Sequence, residues 1–156
     1  MSAWIERIVA GVVDHVRAAV PDIEVEAWPD DPEGFEFYHE GAVALVRYAG
    51  SDFSEPKAIG AVVQDRAMEI VIRLLVRSLM GDGGAYRVLE SLRRALTGQR
   101  IEGCTRMRPR REGFVGRLGG VWRFDMSFVT SCPAIEDADT ESGPLLKDVR
   151  VEGESP

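Results

Sequence analysis

Two cysteines and two histidines are the side chains of this 156-residue chain best suited to act as nucleophiles, bases or metal ligands. Cys104 and Cys132 stand 28 positions apart, a spacing typical of neither a C-x-x-C redox pair nor a zinc site. His15 and His39 fall in different predicted elements, and His15 lies beside the polar side of a helix, where we expect a solvated ring. The sequence therefore predicts no catalytic residue, no metal site and no cofactor.

The composition is that of an ordinary globular domain with an acidic balance. There are 26 acidic and 19 basic residues, for a net charge of −7, which disfavours non-specific nucleic-acid binding. No apolar run reaches the roughly 18 residues of a membrane span, and no signal peptide is visible at the N-terminus. We accordingly expect a protein that does not act in a membrane, with both cysteines reduced. A disulfide between them is the less favoured alternative.

One stretch departs from the acidic average. Residues 99–113 are predicted to form a connecting loop, and five arginines lie within it: Arg100, Arg106, Arg108, Arg110 and Arg111. In so acidic a protein, this loop is more readily explained by solvation or by pairing with acids of a neighbouring chain. Contact with nucleic acid is the alternative interpretation.

The elements that position these groups are organised around residues 66–76. Apolar side chains at every second position predict a strand with one buried face, formed by Met68, Ile70, Ile72, Leu74 and Val76. The alternate residues include Glu69 and Arg73, so the second face can lie against water or a partner. This pattern predicts a central antiparallel strand with helices packed on one side.

The rest of the chain supplies helices and further strands. Apolar residues at helical spacing predict amphipathic helices over 3–20 and 85–97, the second ending at Gly98. Alternation predicts strands over 23–27, 42–49 and from 59 into the central strand, with a polar loop over 50–56. Phe114–Leu118 and Val121–Thr130 read as a hairpin around Gly119-Gly120. The predicted fold is α+β: an antiparallel or mixed sheet with two main helices on one face.

Two segments are expected to lie outside this framework. Residues 28–41 form a loop rich in turn residues that carries Trp28, Phe35, Phe37 and Tyr38. It is interpreted either as a partner contact or as a flap folded against the sheet. Residues 136–156 hold seven acids and two bases and read as a flexible acidic tail following a single domain over 1–135. A short strand near 146–151 that docks on another subunit is the alternative.

Three stretches together resemble a known family: Ala58–Ile72, Gly84–Gly98 and Gly120–Thr130. With the element order, they resemble the Mu-like prophage family of small tail proteins, which is similar in fold to the tail terminators of long-tailed phages. The resemblance covers residues 1–135 and rests on element order and hydrophobic texture rather than on an invariant motif.

What the resemblance implies is a structural role in the virion. Members of the terminator group form hexameric rings that cap the tail tube and offer a surface for joining the head. Partners would be further copies of the chain, the tail tube protein, and the tail sheath and head connector. Nucleic acid would be met only as DNA passing through the ring. Assembly would take place in the host bacterial cytoplasm, and the final location would be the virion tail.

No family catalytic residues exist to carry over, so the candidate residues come from the pattern itself. We expect subunit or tube contacts at nine positions: Asp52, Phe53, Glu69, Arg73, Arg100, Arg106, Arg108, Arg110 and Arg111. The two competing functions are a nucleic-acid-binding module using the arginine loop, and a small enzyme with a site at the 28–41 loop.

Overall fold

The computed structural model describes residues 3–31 and 41–135. The described chain forms two helices and five strands: α1 Trp4–Ala19, β1 Glu24–Ala27, β2 Val43–Phe53, β3 Val63–Val76, α2 Ala85–Leu96, β4 Arg108–Leu118 and β5 Val121–Ile135. The predicted α+β class is confirmed. Neither of the described helices has the length and apolar character needed to cross a bilayer. Phe35, Phe37, Tyr38 and the acidic tail lie outside the described residues.

The strands form a single five-stranded sheet in the order β1-β2-β3-β5-β4. Strand β1 runs parallel to β2, and the other pairs are antiparallel, so the sheet is mixed. Strand β3 occupies the centre, as its apolar alternation predicts. The two edges are the short β1 and the long β4.

The core lies between β3 and the helices. Every predicted inward residue of β3 is buried, and these residues pack with Ile8, Val12 and Val16 of α1 and with Leu92 and Leu96 of α2. Burial of each such side chain contributes about 1.5–3 kcal/mol to folding. The apolar residues that recur at helical spacing in α1 and α2 therefore cover one face of the sheet.

Turn chemistry fixes the hairpin of β4 and β5. Gly119 and Gly120 both have positive φ angles, of 58° and 77°, as a type I′ turn requires.

Strand β2 contains an irregularity, where its register with β3 shifts between Tyr48 and Gly50. Gly50 has a φ of 147°, a conformation open to glycine alone.

Several predicted boundaries are wrong at exposed ends of strands. Strand β2 continues through the predicted loop to Phe53, and β3 begins only at Val63, because Ile59 is fully exposed. Strand β4 begins at Arg108, so residues 108–113 of the predicted arginine loop belong to a strand. These segments lack an apolar face, since no helix covers them, and hydrophobic alternation therefore cannot reveal them.

The prediction of two reduced thiols is also wrong. Cys104 and Cys132 form a disulfide, with Cα atoms 4.7 Å apart. Thr105 donates its N–H to the carbonyl of Ser131 at 2.8 Å, which holds the segment after α2 alongside β5. Both cysteines are buried, and the bond joins this segment to the core. Spacing in sequence did not indicate the bond because the two residues meet through tertiary pairing.

His15 does not point into solvent as predicted. Its Nε2 atom lies 2.8 Å from the carbonyl oxygen of Ala95, so the ring connects α1 to α2. Helical periodicity placed the residue beside the polar side of α1, and the second helix covers that position.

A close contact beside this connection leads to a stability prediction. A β-carbon added at Gly11 of α1 would lie 2.7 Å from Cγ2 of Ile101, a side chain that is itself buried. Gly11→Val is expected to lower the free energy of unfolding by about 1–3 kcal/mol, because overpacking displaces the segment after α2. Urea denaturation measures the change. Ala10→Val on the same helix is the control, and an equal loss in both variants would contradict the steric explanation.

Candidate interaction surface

The sheet face opposite the helices, called the open face, carries Ala67, Glu69, Val71, Arg73 and Leu75 of β3. Its two halves differ. At the end of the sheet where β2 begins and β3 ends, Val43, Leu45 and Leu75 form a second small buried cluster. Trp28 and Val121 pack against that cluster. This half of the open face is therefore covered by the chain's own residues.

Arg73 lies at the border of the covered half. Its guanidinium donates to both carboxylate oxygens of Asp125, at 2.7 and 2.9 Å. The same group stands 4.9 Å from the centre of the Trp28 ring, and Arg47 lies over that ring at 5.1 Å. The Arg73 side chain is 20% exposed. Arg73 thus fixes Trp28 and Asp125 in place.

Glu69 lies in the more open half, beside β4. Arg110 donates to its carboxylate at 3.2 Å, and both side chains remain partly in water. Around them is a polar cleft of about 360 Å³ lined by Arg47, Glu69, Arg110, Arg111, Asp125 and Ser127 among others. Because arginine and carboxylate groups alternate across it, this cleft suits polar contacts with another protein.

A second cleft continues the same surface towards the end of β2. It has a volume of about 280 Å³ and is lined in part by Asp52, Glu69 and Arg110. Phe53, the last residue of β2, is 54% exposed. The fold therefore brings together four of the nine candidate residues along the open face: Asp52, Glu69, Arg110 and Arg111. Phe53 is in register with Arg66, whose guanidinium lies over its ring, so Phe53 belongs to the face that carries the helices.

The remaining arginines are placed differently. Arg106 donates to the carbonyl of Gly98 at 3.1 Å and so satisfies an acceptor just beyond the end of α2. Arg100 and Arg108 are exposed. Every residue of β4 except Gly113 and Gly116 is exposed. With its arginines, this edge strand forms a basic border of the open face.

Sequence reasoning missed a second arginine site at the end of the sheet. Arg66 lies over the rings of Trp4 at 4.9 Å and Phe53 at 5.3 Å, and it donates to Ser51 at 3.0 Å. Tyr48 joins the group through Ser51, with the two hydroxyl oxygens 2.6 Å apart. This cluster connects α1 to the ends of β2 and β3. The one signal in the sequence that could indicate this cluster is the presence of an arginine and several aromatic residues, which can form cation–π contacts.

The described residues offer little for catalysis. No group of three or more histidine, cysteine or acidic side chains among residues 3–31 and 41–135 is arranged to hold a metal ion. The Ser51 hydroxyl, and then Arg66, lower the pKa of Tyr48. Hydrogen bonding and charge from Arg93 lower the pKa of Glu90. Both shifts favour the charged form of the side chain, as in surface ion pairs. A carboxyl group that acts as a general acid shows the opposite shift, a raised pKa.

The fold defines a class of protein that is known from solved structures. It is similar to a chain in the structure titled "Virion of native gene transfer agent (GTA) particle", with a TM-score of 0.58 and 13% sequence identity. The match covers 85% of this chain and 100% of that chain. At this identity the similarity is one of fold.

A family model then places the sequence itself. Residues 12–153 match the model described as "Gp37 protein", and the chain belongs to that family. The match extends beyond the 1–135 region of the resemblance and includes most of the acidic tail. No curated protein matches the sequence.

Proposed function

We propose that the chain is a structural protein of a phage-like virion, a tail terminator or tail completion protein that forms a ring on the last layer of the tail tube. The observation that carries this proposal is the shared fold with a chain of a gene transfer agent virion, a match that spans the whole of that chain. Membership of the Gp37 protein family is consistent with it. The Mu-like resemblance of the sequence adds the terminator role.

The described surface supports binding rather than turnover. The two clefts of the open face are shallow and polar, and arginine–carboxylate pairs lie in or beside them. Such pairs provide specificity at protein interfaces while contributing little to the stability of the isolated subunit. A non-enzymatic role, with no cofactor, follows from this account.

The mechanism we propose is geometric. Copies of the chain join side by side, and the end of β2, with Asp52 and Phe53, contacts the last ring of tube protein. An exposed aromatic residue beside a charged one is a common anchor at protein interfaces. Once seated, the ring blocks further addition of tube protein and offers its other side to the head connector. Assembly in the host bacterial cytoplasm and residence in the virion tail belong to the same proposal.

Co-sedimentation with preformed tail tubes tests this contact. Wild-type chain is expected to pellet with the tubes, and Phe53→Ala is expected to weaken the association by about tenfold or more because an anchor is truncated. Met80→Ala is the matched control, since Met80 is 77% exposed but follows the opposite end of β3. A wild-type chain that stays in the supernatant, or equal losses in both variants, would count against the proposal.

Nucleic-acid binding is the competing function. It would use Arg108, Arg110 and Arg111, and it would give an affinity for DNA that falls steeply with salt. Arg110 is engaged with Glu69, and the cleft beside it holds two carboxylates, Glu69 and Asp125. These carboxylates neutralise much of the positive charge of the cleft's three arginines, so the cleft attracts a phosphate backbone less than an all-basic site would, which favours a protein partner.

A further inference from the structure

The charges of this chain are separated along its sequence. Residues 4–31, which include α1, β1, their connection and the four residues after β1, carry seven acids and two arginines, for a net charge of −5. Residues 82–118, which include α2, β4, the segment between them and the three residues before α2, carry nine arginines and four acids, for a net charge of +5. The overall charge of −7 conceals this division.

The fold converts the division in sequence into a division in space. Strands β1 and β4 are the two opposite edges of the sheet. Helix α1 contacts β1 and β2, whereas α2 contacts β3 and β5. One side of the molecule, the acidic edge, is therefore formed by α1 and β1. The other side, the basic edge, is formed by α2 and β4.

Both edges are shaped to bind through side chains rather than by extending the sheet. On β4, Pro109 lacks an N–H group, and the pairing with β5 skips Arg110 and Val115. On β1, Arg17 Nε donates to the carbonyl of Val25 at 2.9 Å and so occupies an acceptor of the strand. Interrupted edges of this kind resist uncontrolled strand pairing. Charge and shape remain as the means of recognition.

The acidic edge also has a concave shape. A notch of about 480 Å³ lies between the end of α1 and β1, lined by Arg17, Pro21, Ile23, Glu24, Val25 and Glu26. Opposite it on the molecule, β4 presents the exposed side chains of Arg108, Arg110, Arg111 and Arg117, with Phe114 59% and Leu118 69% exposed. A concave acidic surface and a projecting basic strand are complementary in charge and form.

We infer that the partner of the basic edge is the acidic edge of a second copy of this chain. Such a contact joins unlike surfaces of identical subunits, and repeated contacts of this type close into a ring when the rotation permits. The inference rests on the proposed ring and adds the two surfaces that form it. It also implies that association weakens as salt rises, since the charges are exposed.

Complementation between two charge-reversed variants tests the contact. In the first variant, Asp14→Lys with Asp22→Lys changes the net charge of residues 4–31 from −5 to −1. In the second, Arg108→Glu with Arg110→Glu changes the net charge of residues 82–118 from +5 to +1. Each variant alone is expected to associate at least about tenfold more weakly than wild type at low salt, because most of the net charge of one of the two complementary edges is removed. An equimolar mixture is expected to recover association, as complexes with equal numbers of the two variants.

The control and the readout keep the result unambiguous. Glu55→Lys with Ala58→Lys adds positive charge in the loop after β2, away from both edges, and is expected to associate like wild type. Sedimentation velocity gives the masses, and thermal unfolding shows that each variant is folded. The inference is overturned if the mixture stays as weak as either variant, if a reversed variant associates normally, or if the wild type is monomeric at low salt.

The outcomes also separate this inference from the proposed function. If the variants complement each other as expected but the wild-type chain does not bind tail tubes, the terminator role is contradicted and the proposed subunit interface is supported. If the wild-type chain binds tail tubes but the variants do not complement each other, the terminator role is supported and the proposed subunit interface is contradicted.

Discussion

The variant Cys104→Ala with Cys132→Ala is expected to unfold with about 3–4 kcal/mol less free energy than the oxidised wild type. The disulfide closes a loop with a sequence separation of 28, and a cross-link of that span removes about this much free energy from the unfolded state. The loss should be large because the bond joins the segment after α2 to the last inward residues of β5. Urea denaturation monitored by far-UV circular dichroism gives the value.

Reductant provides the control for this experiment. Wild-type protein unfolded with excess dithiothreitol should approach the stability of the double variant, whereas the variant itself should not respond. A reductant effect of equal size in both proteins, or none in either, would contradict a stabilising bond. Labelling of free thiols under denaturing conditions shows directly whether the purified chain is oxidised.

Arg73→Ala is expected to lower the free energy of unfolding by about 2–3 kcal/mol. The substitution leaves the Asp125 carboxylate, with its side chain 28% exposed, without its bidentate partner. It also removes the cation that lies over Trp28, next to the small buried cluster of the open face. Chemical denaturation measures the loss, and Trp28 fluorescence is expected to change in the native baseline.

The matched control is a more exposed ion pair of β3. Arg110→Ala removes the partner of Glu69, but the Arg110 side chain is 58% exposed, so the cost is expected to stay below about 1 kcal/mol. A double-mutant cycle of Arg73→Ala with Asp125→Ala should give a coupling of about 1–3 kcal/mol. Equal effects at the two pairs would show that burial does not distinguish them.

The parts of the fold that the sequence predicts are those with a local signal. The period of two in β3 gives the central strand and its buried face, and the stripe of α2 ends at Gly98, which has a φ of 85°. Gly119-Gly120 gives the hairpin. Each of these features is decided by neighbouring residues, so a pattern along the chain is sufficient to find it.

The features that the sequence does not predict depend on contacts between distant segments. The first part of β4, residues 108–113, is mostly exposed and has no apolar alternation, so its arginines were predicted to lie in a loop, whereas Phe114–Leu118 was predicted as a strand. The Cys104–Cys132 bond and the contact of His15 with Ala95 arise only when α1, α2 and β5 are packed together. Their partners are far away in sequence, and nothing in local spacing indicates them.

The candidate contact residues were selected by their charge and by their alternate positions along the predicted strand, called strand parity. Parity correctly places Glu69 and Arg73 on the face away from the helices. It could not show that Arg73 is committed to Asp125 and Trp28, whereas Glu69 lies beside open clefts. Whether these residues contact a subunit or a tube stays a prediction. The candidate residues that line the two clefts of the open face are Asp52, Glu69, Arg110 and Arg111.

The most direct test of the central claim is the length of tails formed without this chain. Particles assembled from the cognate tail genes, with the gene for this chain deleted, are imaged by negative-stain electron microscopy. The account predicts tubes of irregular, extended length without attached heads, and a return to uniform tails when wild-type chain is supplied. Uniform tails joined to heads in the deletion strain would contradict it.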